Sequence, residues 1–212
     1  MSDNADHQFP LKAFSTGGAY FSAYAQKISK AIQGVAPEQL SDAGEILLAA
    51  IKRRATIYAC GNGGSAAISN HLLCDFVKGV QTGTELRPSV VSLSSHVELL
   101  TAIANDISYD EIFLYQLRTL SDAGDVLITI SSSGDSENIV RAVDWANANG
   151  VHTIALTGFA GGRSAVRAAT TIHVPASNYG VVEDVHQMIM HCLAQYLRSS
   201  QMDDKAIEQS RF

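Results

Sequence analysis

Short apolar runs alternate along the chain with longer stretches in which apolar residues recur at helical spacing. The apolar runs lie at 56–60, 89–93, 125–130, 151–156 and 170–174. The helical stretches lie at 19–35, 37–52, 137–148 and 182–198. Short β-prone runs bounded by glycine or polar residues are typical of strands. Strands that alternate with helices predict a parallel sheet with helices on both faces, which is a three-layer α/β fold.

The same pattern divides the chain into one domain and two ends. Residues 19–198 are predicted to form a single domain, in which the first two helices make an arm ahead of the sheet. A chain of 212 residues suits one compact domain with a sizeable core. The polar start at 1–18 and the charged end at 199–212 are predicted to be flexible.

Composition narrows the class of protein. The formal net charge is -6 and no block of Lys or Arg interrupts this acidity, which argues against nucleic-acid binding. The N-terminus lacks the basic and apolar regions of a signal peptide, and no run approaches the roughly 20 apolar residues that span a bilayer. Three distant cysteines, Cys60, Cys74 and Cys192, indicate a reduced, cytoplasmic protein.

A glycine-rich loop follows the first predicted strand and precedes a helix, which is where open α/β sheets bind ligands. Gly61, Gly63 and Gly64 allow the backbone to turn tightly and to approach an anion. The side chains of Asn62 and Ser65 add hydrogen-bonding groups. The loop lacks the Gly-Lys-Ser/Thr ending of a Walker motif, so a nucleotide site is not predicted.

A second loop places hydroxyl groups just before a helix. It contains Ser131, Ser132, Ser133 and Ser136. Hydroxyls and the N–H groups of a helix N-terminus hold a phosphate without a cationic side chain. Helix capping alone is the alternative for either loop by itself. Both loops together, each placed after an apolar strand, predict an anion site.

Two helices carry imidazole and carboxylate groups. His71 and Asp75 lie four residues apart on the helix after the glycine loop, so they share one face. On the last helix Glu183, Gln187 and His191 form one stripe over about two turns. Two histidines and two carboxylates suit zinc. The predicted metal ligands are therefore His71, Asp75, Glu183 and His191.

The remaining histidines have a simpler interpretation. Core or surface positions without a role in the site are predicted for His7, His96, His152 and His173. His186 precedes His191 by five residues and lies off the main stripe, so both packing and support of the site stay open for it.

Taken in order and spacing, these motifs resemble the phosphoheptose isomerase branch of the SIS (sugar isomerase) family. The resemblance rests on Gly61-Asn62-Gly63-Gly64-Ser65, His71, Asn105-Asp106, 130–136, 156–158 and 161–162. It implies a five-stranded parallel sheet and a homotetramer with active sites between subunits. It also implies the conversion of sedoheptulose 7-phosphate to an aldose heptose phosphate, with a proton moved between C1 and C2 through an enediol.

The resemblance further implies roles for individual residues. Phosphate binding is implied for Ser131, Ser133 and Ser136. Contact with the sugar is implied for Asn62, Ser65 and Asp106. The predicted substrate-binding set also includes Gly63, Gly64 and Ser132 from the same loops. In several members of the family a zinc ion is bound from two helices.

The chain departs from the family where the chemistry would occur. Asp75 stands where the family has a glutamate that acts as the base, and Glu183 stands where it has a glutamine. Lys78-Gly79 stands where the family has an arginine after a glycine. A carboxylate misplaced by about an ångström can cost on the order of 100-fold in rate. The predicted catalytic residues are Asp75 or Glu183 as the base and His191 as the acid.

Two other functions stay open on this evidence. Some SIS relatives regulate replication initiation or sense sugar phosphates without catalysis, and these keep the serine loop but lose the acid and the base. An isomerase or epimerase of a different ketose phosphate, for a capsule or another surface heptose, is the second alternative. Retention of both His71 and His191 beside carboxylates favours catalysis.

Overall fold

A computed structural model describes residues 9–212. The strands are β1 (Thr56–Gly61), β2 (Ser89–Ser92), β3 (Val126–Ser131), β4 (His152–Thr157) and β5 (Thr170–His173). The α-helices are α1 (Gly17–Gln33), α2 (Pro37–Lys52), α3 (Gly64–Cys74), α4 (Val97–Asp106), α5 (Leu114–Leu120), α6 (Glu137–Ala148), α7 (Gly162–Arg167), α8 (Tyr179–Ser199) and α9 (Asp204–Glu208). A π-helical turn (Asp75–Val80) continues α3, and a 3₁₀ turn (Tyr109–Glu111) precedes α5.

The five strands form one parallel sheet in the order β2-β1-β3-β4-β5. Its register places Ile57 opposite Val126 and Gly61 opposite Ile130. From the central pair, β1 leads through α3 to one side of the sheet and β3 leads through α6 to the other. This arrangement leaves a crevice at the carboxyl ends of β1 and β3, where α/β sheets bind ligands. The predicted fold class is confirmed.

Alternate side chains of each strand enter the cores on opposite faces of the sheet. Ile57 and Ala59 join the core under α1, α2, α3 and α8. Tyr58 and Cys60 join the core under α4, α5 and α6. Because helices cover both faces, the central strands β1, β3 and β4 are buried at nearly every position. This explains why the sequence shows continuous apolar runs in place of an apolar–polar alternation.

The first two helices form the predicted arm, and both pack against α8. The Thr16 hydroxyl caps α1 by accepting a hydrogen bond from the N–H of Ala19, and Pro37 is the first residue of α2. The hydroxyl of Tyr24 donates to Asp184 on α8 at 2.7 Å. The arm therefore packs on the outer side of α8, the helix that carries Glu183, Gln187 and His191.

Several element boundaries differ from the prediction. The last long helix begins at Tyr179, three residues before the predicted start, because the Asn178 side chain accepts the N–H of Val181 and caps it. Helices α4, α5 and α7 were absent from the prediction. Each is short, with ten residues or fewer, so its apolar period is hard to recognise in sequence.

The two predicted flexible ends contain ordered contacts in the structure. The ring of Phe9 packs against Tyr20 with a centroid distance of 5.1 Å. Residues 199–212 include the short helix α9, and the Arg198 guanidinium lies 4.5 Å from the ring centroid of Phe212. The prediction for residues 1–8, and for His7 among them, lies outside the described residues.

Two further findings bear on the composition argument. Within residues 9–212, no helix is both long and apolar enough to cross a membrane. Cys60, Cys74 and Cys192 are unpaired, with Cys60 buried and the other two exposed. Burial raises the pKa of the Cys60 thiol well above its ordinary value. Cys60 is therefore a packing residue of the sheet.

Candidate active site

The two predicted loops meet at the carboxyl ends of β1 and β3 and enclose a pocket of about 130 Å³. Its lining residues are Asn62, Ser65, Ile130, Ser131, Ser132, Ser133, Ser136, Tyr179 and Glu183. Most of the side chains are hydroxyls or amides, and none of those in the lining is cationic. The serines thus give the pocket the chemistry of an anion site without a cationic side chain, while Glu183 adds one carboxylate to the lining.

Asn62 is held in place by two side chains that the sequence analysis did not select. Its amide exchanges hydrogen bonds with the amide of Asn138 at 2.9 and 3.0 Å, and its Oδ1 accepts the hydroxyl of Tyr109 at 2.9 Å. Asn138 is buried on α6. Because buried polar groups are nearly always hydrogen-bonded, a polar residue on the apolar face of a helix indicates a hydrogen-bond partner. The sequence contained that signal, although it did not identify Asn62 as the partner.

The serine loop is shaped by its own backbone. Ser131 Oγ accepts the N–H of Gly134 at 3.2 Å, and Ser133 Oγ accepts the N–H of Asp135 at 3.3 Å. Gly134 has φ +69° and packs against the backbone of Gly161, which leaves no room for a side chain. The loop is therefore a rigid turn between β3 and α6.

Two hydroxyls of this loop make no hydrogen bond to the described part of the chain. Ser132 Oγ is buried without a partner, and Ser136, the N-cap of α6, does not use its side chain to cap the helix. Native structures pair most buried polar groups, so such groups mark sites where water or a ligand binds.

The serine loop is also anchored from α7. Arg163 donates to the backbone oxygen of Asp135 at 2.6 Å and to the Glu137 carboxylate at 2.9 Å. Hydrogen bonds from Arg163 hold the pKa of the Asp135 carboxyl below its ordinary value. Arg163 thus holds the loop in place and does not line the pocket.

The glycine loop connects β1 to α3, and neighbouring atoms leave no room for a side chain at Gly61 or Gly64. A side chain at Gly61 would lie 2.6 Å from the carbonyl oxygen of Ser65, and Gly63 has φ +54°. A methyl group at Gly64 would lie 2.7 Å from the carboxyl carbon of Glu183. Gly63 and Gly64 are exposed and do not line the pocket themselves, so their part in the site is to let the backbone and Glu183 come close.

A cluster of imidazole and carboxylate groups lies where α3 passes α8. His71 Nε2 lies 3.3 Å from one oxygen of Asp75, and His191 Nε2 lies 3.5 Å from the other. The two imidazole rings are 5.0 Å apart, centre to centre. Asp75 begins the π-helical turn, a feature often found at functional sites. The sequence prediction that α3 and α8 would bring His71, Asp75 and His191 together agrees with this geometry.

These three residues fit a divalent metal. One ligand atom from each of His71, Asp75 and His191 lies within 4.8 Å of the other two. Metal–ligand bonds of about 2.0–2.1 Å in a tetrahedral site separate neighbouring ligand atoms by roughly 3.3 Å. The 3.3 and 3.5 Å separations are already close to that spacing. The cluster is therefore a candidate metal site.

Glu183 lies outside this cluster. Its carboxylate lines the pocket between the two loops, beside Gly64. The pKa of Glu183 is raised, mainly by burial and secondly by the charge of Asp184. Gln187, one turn later, takes the position beside the two imidazoles: its amide nitrogen lies 3.2 Å from His71 Nδ1 and 3.0 Å from His191 Nε2. The stripe on α8 was recognised in sequence, but which of its residues lies beside His71 depends on how the two helices cross.

Two other predicted positions lie apart from the pocket of one chain. Asp106 is exposed at the end of α4, where its carboxylate accepts the amide of Asn105 at 2.8 Å. His186 is completely buried, with Nε2 3.2 Å from the carbonyl oxygen of Thr157 on β4. Burial lowers the pKa of His186 to about 4, so it is a neutral packing residue. The open question about His186 is thereby resolved in favour of packing.

Comparison with known proteins places this chain in a family. The SIS domain profile matches residues 19–158, so the chain belongs to the SIS domain family. The phosphoheptose isomerase of Thiobacillus denitrificans is 35% identical over 179 residues, which are 82% of this chain and 89% of that protein. The phosphoheptose isomerase of Azoarcus sp. is 37% identical over 158 residues, 73% of this chain and 79% of that protein.

Solved structures agree with these relatives. The phosphoheptose isomerase of Neisseria gonorrhoeae matches with a TM-score of 0.78 and 32% identity over 86% of this chain and 96% of that one. The enzyme of Francisella tularensis matches with a TM-score of 0.79 and 27% identity over the same shares. Within the SIS family, the chain thus belongs with the phosphoheptose isomerases, as its motifs predicted.

Proposed function

We propose that the protein is an aldose–ketose isomerase that converts sedoheptulose 7-phosphate to an aldose heptose phosphate. One observation carries this proposal: the polar pocket and the imidazole–carboxylate cluster are built on the same two helices, α3 and α8. Ser65 and Glu183 line the pocket, while His71 and His191, on the same helices, belong to the cluster. A phosphorylated sugar bound in the pocket would therefore extend toward groups that transfer protons.

Phosphate binding is assigned to the serine loop. Ser131, Ser133 and Ser136 surround the N-terminus of α6, a helix of 12 residues whose partial positive charge favours an anion. Ser132 belongs to the same lining. The backbone at Gly63 and Gly64, together with the side chains of Asn62 and Ser65, is assigned to the sugar end.

The proposed reaction needs one base and one acid. A carboxylate, Asp75 or Glu183, removes a proton from the carbon beside the carbonyl, and the C–H electrons form the double bond of an enediol while His191 gives a proton to the carbonyl oxygen. The same carboxylate then returns its proton to the former carbonyl carbon, and the hydroxyl on the carbon that first lost a proton gives its own proton to the now neutral His191 and becomes the new carbonyl. No oxidant or further reactant is required.

A divalent metal, for which we propose zinc, fits the side chains of His71, Asp75 and His191. The predicted set also contained Glu183, which lies in the sugar pocket. When bound, zinc would supply Lewis-acid stabilisation of negative charge on the sugar oxygens. The residues that hold it would at the same time keep the His191 imidazole oriented toward the pocket.

We further propose a cytoplasmic homotetramer. Exposed apolar side chains on the arm and on α8 support self-association: Phe21 is 71% exposed, Met188 41% and Tyr196 50%. A site shared between subunits would also give Asp106 a sugar to contact, since it lies outside the pocket of its own chain. The unpaired state of the three cysteines is consistent with a reducing compartment.

A turnover assay with a panel of ketose phosphates tests the proposal. Purified protein supplied with Zn²⁺ is expected to convert sedoheptulose 7-phosphate faster than shorter ketose phosphates, with the product identified by chromatography. Tight binding of sedoheptulose 7-phosphate without product at high enzyme concentration would favour the non-catalytic alternative. Turnover of a different ketose phosphate alone would reassign the substrate.

A further inference from the structure

A network of arginine and carboxylate side chains lies outside the pocket and connects the two loops that enclose it. In the order of their contacts, the members of this ion-pair network are Arg163, Glu137, Arg141 and Glu111. The network begins at the serine loop and ends on the 3₁₀ turn that carries Tyr109, whose hydroxyl donates to Asn62 of the glycine loop. None of its four members lines the pocket.

Arg163 forms the serine-loop end of the network and donates four hydrogen bonds. Its backbone N–H and its Nε both donate to the Asp135 carboxylate, at 3.0 and 3.2 Å. Its two terminal nitrogens donate to the backbone oxygen of Asp135 at 2.6 Å and to one oxygen of Glu137 at 2.9 Å. A planar guanidinium can hold the turn between Ser133 and Ser136 at several points, whereas the ammonium of a lysine cannot reproduce this geometry.

Glu137 joins the two halves of the network. One of its carboxylate oxygens accepts from Arg163, and the other accepts from Nε of Arg141 at 3.0 Å. Nη1 of Arg141 then donates to the Glu111 carboxylate at 2.8 Å. Hydrogen bonds from Arg163 and then from Arg141 hold the pKa of the Glu137 carboxyl below its ordinary value, so this residue is ionised at neutral pH.

The other end of the network holds the turn that supports Asn62. Glu111 is the last residue of the 3₁₀ turn, and Tyr109 is its first. Tyr109 donates to Oδ1 of Asn62 at 2.9 Å. Asn138, which follows Glu137 on α6, exchanges two hydrogen bonds with the same Asn62 amide. Asn62 is therefore held by α6 directly and by a turn that is itself tied to α6.

We propose that Arg163, Glu137 and Arg141 are positioning residues that fix the distance between the phosphate end and the sugar end of the pocket. The proposal rests on the proposed function, because it takes the serine loop as the phosphate site, and it deepens that function. The three side chains are 39–43% exposed, and ion pairs this exposed contribute little to stability. Their main effect is therefore geometric. A bound phosphate assists the reaction at a distant carbon only if the two ends keep their separation.

Substitution of Arg163 tests the serine-loop end. The dissociation constant of inorganic phosphate is measured by calorimetry, which needs no turnover. For both Arg163→Gln and Arg163→Lys we expect phosphate affinity to fall by about 10-fold, because neither side chain restores the three side-chain hydrogen bonds. Arg167→Gln is the matched control, since Arg167 also joins α7 to α6, through an ion pair with Asp144 outside the network. Its phosphate affinity should stay within about twofold of the wild type.

Substitution of Arg141 tests the sugar end. Arg141→Gln should leave phosphate affinity within about twofold of the wild type and lower kcat with sedoheptulose 7-phosphate by about 10-fold, because it releases the turn that carries Tyr109. Glu137→Gln should weaken phosphate binding and lower kcat together, since an amide has one acceptor oxygen and cannot join two guanidinium groups. Removal of a negative charge near a bound phosphate would by itself strengthen binding, so weaker binding reports lost position. Thermal unfolding confirms that each variant is folded.

Results explained by charge alone would overturn the proposal. Normal phosphate affinity in Arg163→Lys, with a loss only in Arg163→Gln, would limit Arg163 to electrostatic attraction of the anion. Tighter phosphate binding by Glu137→Gln would remove Glu137 as a positioning residue. Equal losses in Arg163→Gln and Arg167→Gln would reduce the network to helix packing. If the wild type converts no sugar phosphate but the Arg163 variants alone weaken phosphate binding, the serine-loop half of the proposal is supported and the proposed reaction fails.

Discussion

The pocket between the two loops and the cluster of His71, Asp75 and His191 are built in different ways. The pocket is made of loops that directly follow strands, so each side chain is positioned by its immediate neighbours in sequence. The cluster is made of side chains on two helices, and its members meet only because α3 and α8 cross at one register. Loop sites are therefore recognisable from local sequence, whereas helix-borne sites depend on packing.

The same difference appears in how far the chain keeps the family pattern. The serine loop that resembles the family lines the pocket as expected. On the two helices, Asp75 and Glu183 both depart from the family, and Gln187 lies beside the two imidazoles of the cluster. A site that depends on helix register can change one ligand for another a turn away, while a loop with fixed backbone geometry has no such freedom.

The largest effect is expected from removal of a histidine of the cluster. His191→Ala should lower kcat by about 1,000-fold or more, because it removes both a metal ligand and the proposed acid. Steady-state kinetics with sedoheptulose 7-phosphate, together with Zn²⁺ binding, provide the measurement. His96→Ala, which changes an exposed histidine before α4, is the control. Equal activity of both variants would remove the cluster from the mechanism.

Acid should lower the free energy of unfolding through the buried His186. His186 is buried and has a pKa of about 4, below the ordinary 6.5, so the unfolded state binds a proton before the native state does. Its contribution to stability is complete above about pH 6.5 and is lost as the pH falls toward 4, by about 3 kcal/mol. Denaturant unfolding at pH 7 and pH 4.5 measures this loss.

His186→Gln tests the source of that loss. The glutamine amide can still donate to the Thr157 carbonyl, but it does not titrate in this range. The variant is therefore expected to show a flatter dependence of unfolding free energy on pH. An unchanged slope would assign the acid sensitivity to other groups.

Gly64→Ala should disturb the sugar end without affecting the phosphate end. The added methyl group would lie 2.7 Å from the carboxyl carbon of Glu183 and displace it, so kcat is expected to fall by about 10- to 100-fold. Competitive inhibition by inorganic phosphate should be unchanged. Gly17→Ala, at the same first position of α1 and with open space around it, is the matched control. Full activity of Gly64→Ala would contradict the role of Glu183.

The smallest of these effects is expected at the phosphate end. Ser136→Ala removes one hydroxyl from the pocket and should raise KM by about 10-fold with little change in kcat, since phosphate contacts bind substrate and transition state alike. Stability should be unchanged, because this side chain does not cap α6. The inhibition constant of inorganic phosphate should rise by the same factor. A fall in kcat with constant KM would place Ser136 in the chemistry instead.

Much of the fold could be predicted because its signals are local. Continuous apolar runs identified all five strands, and the helices 37–52 and 137–148 have the predicted bounds. Helix α4 and the contact of Tyr109 with Asn62 could not be predicted in this way, because they arise from the packing of distant segments. The choice between Glu183 and Gln187 required the crossing of α3 and α8, which a one-dimensional pattern does not contain.

The most direct test of the central claim is proton exchange at the reacting carbons. Sedoheptulose 7-phosphate is incubated with the Zn²⁺-supplied protein in D₂O and followed by ¹H NMR. The account predicts that an aldose heptose phosphate forms and that deuterium enters beside the carbonyl, and that both processes stop in His191→Ala. Saturable binding of the sugar with neither exchange nor product in the wild type would contradict it.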